Sequence, residues 1–189
     1  MNEPGTLYEA FVEQLRDTYD AECQVLKTLP KMVKAASSPK LQAAFEAHLR
    51  ETKGHVERLE RIFGSLEEEV QGKHCSGMAG ILKESAAALS NGFDERTIDA
   101  CLIAASQHVE HYEMASYGTL IAWSRVVGNQ HVSDLLQETL LEEKATDLKL
   151  SALAEAGINE EAAVSVPSPA PKTQAKGTRA VKASATRQH

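Results

Sequence analysis

From Thr6 onward, Leu7, Phe11, Leu15, Val25 and Leu29 recur at helical spacing, and Glu22 falls in the centre of the stripe they form. The other acids of the segment, Glu9, Glu13, Asp17 and Asp20, fall off the stripe, where solvated charges belong. The same conflict between charge and apolar face recurs in three later segments. Between Ser38 and Phe63, His48 and His55 lie inside the apolar arc that runs from Ala44 and Ile62 through Leu41 and Leu59 to Phe45 and Val56, and Glu51 sits at its edge, about 20° beyond Ala44 and Ile62 at 100° per residue. Further on, Glu113 lies between Val109 and Leu120 with Glu110 in the same arc, while His108 and His111 point outward. In the last periodic segment Glu143 and Asp147 flank the line through Leu136 and Ala154, and Glu142 points away. Unpaired carboxylates are rarely buried, so a chain that places this many on apolar faces must give them a common partner.

Local signals divide the chain into four long helices. The first starts at Thr6, which with Glu9 forms a capping-box pattern, and Pro30 is expected to kink or end it. Ser38-Pro39 reads as a cap and first helical residue, and the second helix runs to about Phe63-Gly64. Residues 71–94 carry Gly72, Gly77, Gly80 and Gly92 and are looser, with a short helix from about Met78 to Leu89. The third long helix starts at the cap Asp94 and ends near Val127. The fourth follows Gly128-Asn129 and ends at Gly157. Short turns make the first pair and the last pair antiparallel hairpins. The connection between the hairpins is far longer than the 2–8 residues usual between bundle neighbours. The expected fold is therefore all-α, a ferritin-like antiparallel four-helix bundle with an extra helix in the long crossover.

The inward charges also agree in height. Glu22 and the Glu51/His55 pair are equidistant from the Ser37-Ser38 turn, and Glu110/Glu113 and Glu143/Asp147 are equidistant from Gly128. Glu22 and the midpoints of the three pairs lie 15 to 17 residues from their turn, roughly 23–25 Å at the helical rise, which is mid-bundle however the hairpins stack. Clustered carboxylates in a dry core repel one another and lose hydration at several kcal/mol per ion, and a multivalent cation removes that cost. Six carboxylates (Glu22, Glu51, Glu110, Glu113, Glu143 and Asp147) with His55 make a hard, oxygen-rich set suited to iron or manganese and poorly suited to tetrahedral zinc.

The segments LYEAFVEQLRDTYDAECQVLKTLPKM, HLRETKGHVERLERIF, LIAASQHVEHYEMASYGTL and LEEKATDLKLSALAEAG resemble the YciE/YciF family of bacterial ferritin-like stress proteins over about residues 6–158. The resemblance implies a dinuclear iron site, two ions per chain, with Glu22 from the first helix, Glu51 and His55 from the second, Glu110 and Glu113 from the third, and Glu143 with Asp147 from the fourth. The first functional expectation for such a site is oxidation of Fe(II) by peroxide or oxygen. Two departures stand out. Ferritin-like proteins generally space Glu and His by three residues, whereas Glu51 and His55 are four apart, and Asp147 stands where a histidine is expected. No rubredoxin-type cysteine module is present. The alternative is a non-catalytic metal-binding or DNA-associating protein with a structural metal.

The remaining residues add less. His48 reads as a core histidine with a hydrogen bond, with an extra metal ligand as the alternative, Tyr117 as core packing with a bond to a ligand carboxylate as the alternative, and Cys75 as the most exposed of three reduced thiols. Trp123 and Met114 suit packing or a homodimer interface. The five bases after Val164 leave residues 1–163 with all 27 acids against 15 of the 20 bases, a balance of −12. Residues 164–189, without periodicity, are expected to be a disordered tail with at most weak, salt-sensitive contact to nucleic acid. No apolar run reaches the roughly 20 residues of a membrane span, and the expected location is the cytoplasm.

Overall fold

The structure is a computed structural model, and it describes residues 5–164. Beyond Val164 the basic tail and its nucleic-acid contact lie outside the described residues. Five α-helices precede a short sixth: α1 Leu7–Ala35, α2 Pro39–Ser65, α3 Ser76–Leu89, α4 Glu95–Val126, α5 Gln130–Leu153 and α6 Asn159–Val164. No strand occurs among the described residues, and none of their helices is long and apolar enough to cross a membrane.

The helix starts follow the cap chemistry. Thr6 Oγ1 accepts from the Glu9 N–H at 3.2 Å, and Glu9 Oε2 accepts from the Thr6 N–H at 2.6 Å. Asp94 and Asn129 accept from the first-turn amides of α4 and α5. Three boundaries differ from the sequence expectation. Pro30 does not end α1, which continues to Ala35, because the buried Leu29 and Met32 hold the turn on either side of it in the core. Ser38 makes no side-chain cap. At Gly157, with φ 136°, the chain turns but does not stop, since a wide turn at Ala154–Ile158 joins α5 to α6.

Bonded pairs give the helix directions. His55 meets Glu143 and Thr146 meets Glu51 between α2 and α5, while Tyr117 of α4 meets Glu22 of α1 and Asp99 of α4 meets Ser37, just past the end of α1. In both sets one number rises as the other falls, so every neighbouring pair in the ring α1–α2–α5–α4 is antiparallel. The crossover runs back along α1, with Lys73 N–H on Arg16 O and Cys75 N–H on Asp20, and α3 packs over α1 and α4. Cys75 is consequently fully buried rather than exposed, with Sγ 3.1 Å from the Tyr112 hydroxyl.

Two apolar clusters fill the ends of the bundle. One holds Leu29, Met32, Leu41, Phe45, Leu102 and Leu150, and the other holds Phe11, Leu15, Leu59, Phe63, Leu120 and Leu136. Between them lies a layer of buried polar side chains.

Asp99 sets the height of one hairpin against the other. Buried at the start of α4, it accepts from the Ser37 N–H and Oγ at 2.7 Å each and from the Ser38 N–H at 2.8 Å. Loss of a charged acceptor that leaves buried donors unpaired costs about 2–4 kcal/mol in total. Asp99→Ala should lower stability by that amount in a urea melt, and a loss below about 1 kcal/mol would show that the α1–α2 turn holds itself.

Candidate metal centre

The polar layer gathers six side chains that can ligate a cation. Glu22 comes from α1, His48 and His55 from α2, Glu110 and Glu113 from α4, and Glu143 from α5, and each is at most 2% exposed. They fall into two groups. One ligand atom each of His48, Glu110, Glu113 and Glu143 lie within 4.8 Å of one another, and so do those of Glu22, His55 and Glu143. Glu143 belongs to both. His55 Nδ1 is 3.0 Å from Glu143 Oε1 and 3.4 Å from Glu22 Oε1, and His48 Nε2 is 3.4 Å from Glu110 Oε1.

The surrounding residues orient these ligands. Tyr117 donates to Glu22 Oε1 at 2.5 Å. On the outer side, His55 Nε2 lies 3.0 Å from Glu142 Oε2, and Arg58 Nη1 donates to the same oxygen at 2.9 Å. A carboxylate behind a histidine fixes the ring and its tautomer. Glu142 therefore points to His55 and not simply away from the bundle, since its side chain folds along α5 towards Arg58 and remains 39% exposed.

The electrostatics are those of a buried glutamate cluster whose nearest counter-charge is His55. Burial, then the charges of neighbouring glutamates, hold the Glu110 and Glu113 carboxyls well above the usual carboxylate range. Burial disfavours the His55 imidazolium, but the Glu22 and Glu143 carboxylates outweigh it and raise the ring to about 11. Burial likewise raises the Glu143 carboxyl, and the His55 ring, with Nδ1 3.0 Å from Oε1, outweighs it and brings it below its ordinary value.

A direct sign that the layer fits a metal is its unused bonding capacity. Both oxygens of Glu113 and of Glu143, one oxygen each of Glu22 and Glu110, both ring nitrogens of His48 and Nδ1 of His55 are buried without a hydrogen-bond partner. Buried polar atoms are ordinarily satisfied. Here nine in one layer are not, and they are oxygen and imidazole donors facing one another.

Of the seven residues expected from the sequence, the fold brings Glu22, His55, Glu110, Glu113 and Glu143 together and leaves Glu51 and Asp147 outside the group. Glu51 is 45% exposed and accepts from Thr146 at 3.4 Å. Thr52, fully buried beside it, takes the inward position. Asp147 accepts from Gln107 at 3.2 Å and lies 3.4 Å from His111, on the outer side of the α4–α5 contact. His48 joins the group instead of making the hydrogen bond expected of a core histidine. Its signal was present in the sequence, because it stands seven residues, two turns, from His55 on one face.

Residues 6–163 match the family model described as a domain of unknown function, DUF892. The chain belongs to the DUF892 family. Protein YciF of Escherichia coli K12 is 42% identical to this DUF892 chain over 158 residues, which are 83% of the chain and 95% of YciF. The crystal structure of YciF, described as a stress protein, superposes with a TM-score of 0.79 at 41% identity, covering 83% of this chain and 99% of that one. YcfI from Rhodopseudomonas palustris superposes with a TM-score of 0.77 at 37% identity, covering 79% and 96%. These likenesses bear out the YciE/YciF resemblance and the all-α bundle expected from the sequence. A protein of Xanthomonas campestris, at 23% identity and a TM-score of 0.63, shares the fold.

Proposed function

We propose that this DUF892 protein binds two iron ions per chain in mid-bundle and oxidises Fe(II), with peroxide or oxygen as the electron acceptor. The observation that carries the reading is the set of nine buried, unpartnered donor atoms in one layer. Glu22, His55 and Glu143 would hold one ion, and His48, Glu110, Glu113 and Glu143 the other. Manganese suits the same donors. Zinc, which prefers nitrogen and sulfur in tetrahedral sites, suits them less.

With peroxide, two Fe(II), one hydrogen peroxide and two protons give two Fe(III) and two waters. The protein's part is positioning and charge. Glu110, Glu113 and His55 release protons as cations enter, because ligands bind deprotonated. Glu142 holds the His55 ring, Tyr117 pins one oxygen of Glu22, and the apolar clusters above and below exclude bulk water. An anion-rich donor set favours Fe(III) over Fe(II). The description of the E. coli relative as a stress protein agrees with removal of iron and peroxide under stress. A homodimer belongs to the same reading, since Leu141 and Leu148, seven residues apart on α5, are 58% and 70% exposed.

Stopped-flow absorbance after mixing Fe(II)-loaded protein with peroxide should show a fast Fe(III) phase that consumes about two irons per peroxide, as a carboxylate-held pair implies. Wild-type protein that oxidises iron no faster than iron in buffer would overturn the redox reading and leave a structural metal.

A further inference from the structure

A narrow pocket of about 80 Å³ opens between α2 and α5. Glu51, Ala145 and Lys149 stand at its exposed end, Ala44 and Thr146 line its walls, and His48 closes its inner end. We propose that this pocket is the entrance by which divalent cations reach the buried layer, with Glu51 capturing the ion at the mouth and His48 as the first ligand inside. The inference rests on the reading of the layer as a metal centre.

Three observations support it. Four larger surface cavities, of about 720, 540, 360 and 160 Å³, have no residue of the buried group in their linings. The donors form a stepped line inward: Glu51 Oε2 is 3.9 Å from His48 Nδ1, and His48 Nε2 is 3.4 Å from Glu110 Oε1. Finally, His48 is 2% exposed, and neither ring nitrogen has a hydrogen-bond partner. Phe45 and Leu150 also line it, but a mere packing gap would be apolar throughout, whereas this one ends on an imidazole with both nitrogens free to bind. Alanine on both facing helices keeps the passage open, and water needs only about 10–15 Å³ of such space. Glu51 thus acquires a role that its place outside the ligand group left open.

The test is the rate of metal uptake by the metal-free full chain, read by stopped-flow absorbance with Co(II) in excess at low ionic strength and paired with an equilibrium Co(II) titration. Glu51→Gln should slow uptake about tenfold, the low end of the scale of charge steering, and leave the number of ions bound unchanged. Lys149→Gln should speed uptake, and the difference should shrink in about 1 M salt, where the screening length is about 3 Å. Ala145→Phe, at an exposed helix position that tolerates a larger side chain, should slow uptake by plugging the mouth. Uptake at wild-type rate in both Glu51→Gln and Ala145→Phe would overturn the entrance while leaving the metal centre standing. A lower ion count in Glu51→Gln would make Glu51 a ligand and overturn its role at the mouth. Wild-type protein that binds no Co(II) would overturn the metal centre and the entrance with it.

Discussion

Glu143→Ala should reduce bound metal from about two ions per chain to fewer than one, a larger loss than any other single ligand replacement. Glu143 is the one side chain common to both groups of converging atoms, so its removal opens both sites at once. Loss of an outer partner alone costs about 10–100-fold in metal affinity, and a shared direct ligand should cost more. Glu142→Ala provides the graded comparison. It removes the support behind His55 and should weaken the ion on the Glu22 side by that 10–100-fold while sparing the other. Asp147→Ala should retain both ions, because Asp147 is bonded to Gln107 outside the group. Elemental analysis of dialysed protein, with circular dichroism to confirm folding, decides. Two ions retained in Glu143→Ala, or two lost in Asp147→Ala, would contradict the assignment.

Metal-free protein should be more stable at pH 5.5 than at pH 8, the opposite of what paired surface carboxylates produce. The Glu110 and Glu113 carboxyls are raised in the fold, by burial first and by neighbouring carboxylates second. A group whose folded pKa exceeds its unfolded value contributes stability that is fully present below the unfolded pKa and is lost as pH rises through the folded one. His55, raised to about 11, acts in the same sense above its ordinary pKa of about 6.5. Glu143 is lowered and loses its contribution only as pH falls below the ordinary carboxylate range, outside this window. Each group that stays protonated in the fold but ionises in the unfolded chain adds about 1 kcal/mol per pH unit. That corresponds to roughly 2–4 °C in Tm per kcal/mol for a chain of this length. Bound metal reverses the trend, since protons then compete with the cation, and at a thousand times Kd each ion adds about 4 kcal/mol. Calorimetry of metal-free and loaded protein at pH 5.5, 6.5 and 8 reads both slopes. A metal-free Tm that falls steadily from pH 8 to pH 5.5 would show that the cluster does not hold its protons.

The level of the site was legible in the sequence, because two hairpins with short turns and a common rise per residue must bring positions equidistant from a turn to one height. Glu22, Glu110 and Glu113 could be placed because each sits inside an apolar arc whose packing buries it. Glu51 lay at an arc's edge, where a rotation of a few tens of degrees separates core from solvent and helical periodicity alone does not decide. The neighbouring helix decided it, by giving the inward position to Thr52 and setting Thr146 beside the Glu51 carboxylate. Asp147 flanked its stripe as closely as Glu143, but its shorter side chain and the position of Gln107 on α4 drew it outward.

Other features depended on residues distant in sequence and had no local signal. The burial of Cys75 required the crossover to lie along α1, anchored on Asp20. The continuation of α1 past Pro30 required core packing to outweigh a lost backbone hydrogen bond. The bond from Tyr117 to Glu22 and the backing of His55 by Glu142 each join two helices. Helical periodicity depends on one chain segment at a time, so the sequence by itself determined the four helices, their pairing and the height at which charge is buried. Which carboxylates share a cation, which histidine joins them and which side chains hold them in place are contacts across helices, and only the tertiary structure decided those.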